Sequence, residues 1–98
     1  MTYRQFLGEL VKHFEFNYEL REVNQVSLVF KEKEGLKLQV LLGPRETYTY
    51  HKEINENVVL LFTFGSLSKE VICPEETTEL GEIIKKVSRD LKLELVLK

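Results

Sequence analysis

The residues with chemistry to offer fall in a few places along the chain. The first is GPRETYTYHKE, residues 43–53. A Gly-Pro turn leads into Arg45, after which Tyr48 and Tyr50 alternate with Thr47, Thr49 and His51, and Lys52 follows. Successive side chains of a strand point to opposite faces, so the tyrosines would share one face and the threonines and His51 the other. If the tyrosine face meets the helices, the rings are core and the hydroxyls reach the rim. If it meets water, adjacent tyrosines beside Arg45 form a recognition patch of the kind enriched at protein interfaces. Tyr and Thr are also good strand formers, and that plain explanation carries more weight than the patch.

Cys73 is the second place, and the single cysteine of the chain. It follows the apolar run EVI and precedes Pro74, at a corner where a strand gives way to a helix. A helix N-terminus stabilises a thiolate through its end dipole, which would make Cys73 a thiol site. No base stands beside it in sequence, and Glu75 and Glu76 oppose a thiolate, so an inert, partly buried cysteine fits better. One cysteine also excludes an internal disulfide and a cysteine-based metal site within one chain.

The charged groups point to no reaction. Glu75, Glu76, Glu79 and Glu82 gather at the start of a helical pattern. A carboxylate pair performs acid–base chemistry only in a desolvated cleft, and these acids fall on the outward side of an amphipathic helix. Lys31, Lys33 and Lys37 form one basic group, and Lys85, Lys86 and Arg89 another. His13 and His51 lie far apart, with no third ligand at a metal-binding spacing. Phosphate loops and nucleophile elbows are absent. RNA recognition on a sheet needs aromatic platforms among basic residues. Tyr48, Tyr50, Arg45 and Lys52 meet that need loosely, without an RNP-like motif. The reading therefore contains no catalytic residue, no metal and no cofactor.

Period identifies the elements that must position these groups. Phe6, Leu7, Leu10, Val11 and Phe14 are spaced as one helix face, with Thr2 and Gln5 as a capping box, and predict a helix over 3–13. Gly8 either weakens that helix or marks a close packing contact. From residue 16 the period changes to two, and residues 16–42 read as a three-stranded meander with a Lys33-Glu34-Gly35 turn. TYTYHKEI (47–54) reads as a fourth strand. VVLLFTFG (58–65) is apolar on both faces, as in a central strand. SLSKEVI reads as a loop entering a short strand. Leu80, Ile83, Ile84, Val87 and Leu91 restore the helical period, with a start at Pro74 or with Thr77 or Thr78 as cap. LKLELVLK (91–98) alternates cleanly and predicts a last strand. If that strand is an edge, Leu93, Leu95 and Leu97 mark a place where a partner's strand or a second copy would pair.

The order α-β-β-β-β-β-(β)-α-β predicts an α+β domain over residues 1–98: an antiparallel sheet of five to six strands with two helices on one face. The chain has 98 residues, a formal net charge of −2 and a pI near 5.7, which argues against a generic nucleic-acid binder. It has no alanine, and fifteen glutamates against one aspartate. Its longest apolar run, 58–62, is far short of the roughly 20 residues a membrane span needs. Residues 1–14 do not read as a signal peptide, so a cytoplasmic setting is expected. The functional expectation is a small non-catalytic protein–protein interaction module (an adaptor, chaperone-like binder or inhibitor), with self-association as one form of it. Nucleic-acid binding on the Tyr48/Tyr50 face is the alternative. A thiol- or ligand-dependent role for Cys73 is the second alternative.

Overall fold

The structure, a computed structural model, describes residues 2–43, 54, 58–73 and 80–97. Their elements are α1 (Tyr3–Leu10), β1 (Phe16–Arg21), β2 (Val26–Phe30), β3 (Leu36–Leu41), β4 (Val58–Phe64), β5 (Leu67–Cys73) and α2 (Leu80–Leu97). The strands form one antiparallel sheet in the order β1-β2-β3-β4-β5. The α+β class read from the sequence holds.

Local chemistry accounts for most boundaries. The Thr2 hydroxyl accepts from the Gln5 amide at 3.2 Å, and the Gln5 side-chain oxygen accepts from the Thr2 amide at 2.8 Å. This capping box satisfies two N–H groups that a helix start would otherwise leave open. α1 stops at Leu10, short of residue 13. The amides of His13 and Phe14 both donate to the Leu10 carbonyl at 3.0 Å, and this tightened end turns Phe14 into the core. Between β2 and β3, Lys33 and Leu36 exchange two backbone hydrogen bonds of 3.0 and 2.9 Å across Glu34 (φ 52°) and Gly35 (φ 86°). Both central residues are left-handed, as a two-residue hairpin that follows strand twist requires.

The sheet has one covered face. Leu28 of β2, Leu38 and Val40 of β3, and Leu60 and Phe62 of β4 share a core with Tyr3, Phe6 and Leu10 of α1 and with Leu80, Ile84, Val87 and Leu91 of α2. The strand residues in that core all have one parity, so both helices lie against the same face. Lys69 also points to this side, opposite Phe62, and its ammonium reaches Asp90 of α2 at 3.6 Å.

β1 departs from simple alternation. Phe16 pairs with Phe30, but Tyr18 pairs with Val29, so an extra residue bulges between them. The bulge reverses parity. Phe16 stays on the helix side, edge-on to Phe30 at 5.9 Å, while Tyr18 and Leu20 turn to the opposite face.

The expected last strand does not form. α2 continues through residues 91–97 to Leu97, so Leu93, Leu95 and Leu97 are helical and offer no strand edge. Leu, Lys and Glu are strong helix formers. No Gly, Pro or Asn intervenes after Leu91 to stop the helix, and each added residue gains a hydrogen bond once a helix exists. Among the described strands, β1 and β5 are the outermost of the sheet. β5 is also longer than expected: a Gly65-Ser66 turn brings Leu67 opposite Phe64, and Leu67 and Ser68 join the ladder. The fourth strand expected over 47–54 lies outside the described residues except for Ile54, which is buried in the core. The helix starts weighed at Pro74, Thr77 and Thr78 also lie outside them.

Candidate functional site

A groove among the described residues runs along α2. One wall is α2 from Ile84 to Val96, and the other is the turn after α1 and the β2–β3 hairpin. Its volume is about 640 Å³. Phe14, Leu36, Ile84, Leu93 and Val96 supply apolar surface, and His13, Lys33, Glu34, Lys85, Ser88, Arg89 and Lys92 supply the polar groups.

Three features of the chain build this groove. Lys33 donates to the His13 carbonyl at 3.1 Å, which ties the hairpin to the turn after α1. The His13 ring lies 3.4 Å from where a Cβ would stand on Gly81, so a glycine lets the turn after α1 approach the start of α2. Lys85, Arg89 and Lys92 follow the i, i+4, i+7 spacing of one helix face.

The cations are weakly held. Lys85 lies 3.9 Å from Glu82, and Arg89 lies 3.8 Å from Asp90 through Nε. These side chains are 78% and 69% exposed, and such pairs contribute little in water. Lys92 has no ion-pair partner among the described residues. Glu34 is the one carboxylate in the described lining.

The same helix carries an apolar patch. Leu91 is 1% exposed, whereas Leu93 is 55%, Val96 82% and Leu97 84% exposed. Leu95 is 40% exposed, and its Cδ2 lies 3.9 Å from the Cβ position of Gly65 at the β4–β5 turn. Leu93 and Val96 belong to both the patch and the groove.

A second apolar feature crosses the sheet face opposite the helices. Leu20, Ser27, Leu41, Val59 and Ile72 stand in one row by strand pairing. The row is exposed at its two ends, Leu20 and Ile72, and Ser27 within it is buried. A smaller apolar groove of about 280 Å³ lies between α1 and β1, beside Leu7, Gly8, Val11 and Phe16.

The residues singled out in the sequence fare differently. Arg45, Tyr48, Tyr50, His51 and Lys52 lie outside the described residues. Cys73 is the last residue of β5, opposite Val58. The first basic group divides: Lys33 enters the groove, Lys31 pairs with Glu15 at 3.0 Å, and Lys37 points to the opposite sheet face in line with Thr63. The fold brings Lys33, Lys85 and Arg89 together from two separate sequence clusters. Lys92 reads in the sequence as a polar position of the expected 91–98 strand and not as a companion of Lys85 and Arg89; the helical spacing from Lys85 groups them. Among the described residues no group of three or more His, Cys, Asp or Glu side chains is placed to hold a metal ion, and no helix is long and apolar enough to cross a membrane.

Comparison with protein-family models, with curated proteins and with solved structures gave no match, so function has to be argued from this chain's own residues.

Proposed function

We propose that this chain is a small non-catalytic protein–protein interaction module and that the C-terminal turns of α2 form part of its contact surface. The supporting observation is the distribution of apolar side chains on those turns. Leu91 is buried in the fold and Leu95 touches it on one side, while Leu93, Leu95, Val96 and Leu97 all expose apolar surface to water. A helix that carries apolar residues beyond its core-facing stripe ordinarily has a second covered face. Arg89, Lys92 and Glu94, all exposed, surround the patch, giving the apolar centre and polar rim typical of a contact surface.

Affinity capture with the wild type beside Leu93→Ser/Leu97→Ser tests this reading, followed by titration of the recovered, purified protein. Both side chains are exposed, so the substitutions should leave the unfolding midpoint nearly unchanged. The expected result is one protein held by the wild type and bound about tenfold or more weakly by the double variant. Light scattering over a range of concentrations shows whether that protein is a second copy of this chain. An identical set of proteins held by both baits, or none by either, would reject the proposal.

A further inference from the structure

We propose that the groove along α2 binds an acidic amphipathic helical segment of a partner protein, an inference that rests on the interaction reading above and narrows it. The first ground is length. The α2 wall runs from Ile84 to Val96, about 18 Å at 1.5 Å rise per residue, which matches roughly three turns of a second helix. The second is the floor. Phe14, Leu36 and Ile84 are buried side chains whose surfaces continue into the exposed Leu93 and Val96. Such a floor takes anchors spaced i, i+3/i+4, i+7 on a helix laid in the groove.

Charge decides the chemistry of the occupant. The chain as a whole carries −2, yet Lys33, Lys85, Arg89 and Lys92 line this groove with Glu34 the one carboxylate among its described lining residues, while Glu82 and Asp90 stand 3.9 and 3.8 Å from Lys85 and Arg89 in exposed, weak pairs. From Lys85 to Lys92 the cations span about 10 Å along α2. That spread suits carboxylates distributed along a segment better than one head group. A nucleic acid would also meet the cations, but single-stranded recognition relies on exposed aromatic faces for stacking. Phe14, the one aromatic carbocycle among the described lining residues, is 3% exposed. Apolar anchoring beside distributed cations therefore favours an acidic peptide helix.

Four fluorescent probes test this by anisotropy against the full chain: a three-turn peptide with leucines at i, i+3, i+4 and i+7 and flanking glutamates; the same peptide with lysines for glutamates; an acidic scramble without an apolar face; and a single-stranded oligonucleotide. The first should bind, more weakly at high salt because the charges are solvent-exposed, and the others should bind at least about tenfold more weakly. Lys85→Glu/Arg89→Glu should weaken the first probe by about tenfold or more. Lys37→Glu, on the opposite sheet face, should not. Lys92→Glu is the second variant should the double one fold poorly, and thermal unfolding checks each. Equal binding of the lysine or scrambled peptide, no binding of the acidic one, or tighter binding of the oligonucleotide overturns the assignment. If that happens while Leu93→Ser/Leu97→Ser still releases the captured partner, the interaction reading stands and only the groove's occupant is wrong.

Discussion

Gly8 and Gly35 look alike in the sequence and differ in space. A Cβ on Gly8 would meet nothing within 4 Å, so no close packing holds the glycine in α1. Gly8→Ala should stabilise the fold by about 0.5–1 kcal/mol through helix propensity alone, read as a higher urea midpoint at unchanged slope. Gly35 has φ 86°, and a Cβ there would stand 2.9 Å from the Phe64 ring. Gly35→Ala should destabilise by more than about 1 kcal/mol, since a left-handed backbone costs an L residue about 1–2 kcal/mol before any clash. Gly35 was legible as a turn residue from its place between two alternating runs. The openness around Gly8 was not, because it depends on what the far side of α1 faces.

At the scale of the element, α2 is where reading and structure part. Leu91, Leu93, Leu95 and Leu97 alternate as a strand would, yet they lie on a helix of 18 residues. Alternation over so short a run is a weak signal when the residues are Leu, Lys and Glu and nothing breaks the preceding helix. The two conformations assign different neighbours. On a strand, Leu91 and Leu93 would share a face, and truncating either would cost about the same. On the helix, Leu91→Ala should cost about 2–5 kcal/mol as a core truncation, while Leu93→Ala should stay within about 0.5 kcal/mol. Paired denaturant titrations of the two variants decide it. The bulge in β1 is a similar case: Phe16, Tyr18 and Leu20 alternate in sequence, but the inserted residue sends Tyr18 and Leu20 to the other face. The capping box at α1 was legible in full, because its chemistry lies between near neighbours, Thr2 and Gln5.

For the molecule as a whole, the sheet is the frame and the last turns of α2 are its overhang. Among the described strands, β2, β3 and β4 are paired on both sides, β1 and β5 on one. Residues 92–97 of α2 are exposed. Native-state hydrogen exchange should therefore be slowest in β2, β3 and β4 and fastest among these elements in the final turns of α2. A bound partner that covers the patch should slow exchange at residues 92–97 without changing β3 and β4. Uniform slowing across the chain would instead report a general gain in stability.

The sequence by itself determined the α+β class, the meander, the hairpin turn and both amphipathic helices, because period, caps and turn residues act between near neighbours. It determined net charge too, but not where charge gathers. Tertiary structure decided that Lys33 joins Lys85, Arg89 and Lys92 across a shared groove, since that meeting depends on how α1, the hairpin and α2 pack. It also decided that Leu93, Val96 and Leu97 face water. A strand and a helix place the same residues on different sides, and only the continuing helix, anchored in the core by Ile84, Val87 and Leu91, settles which side that is.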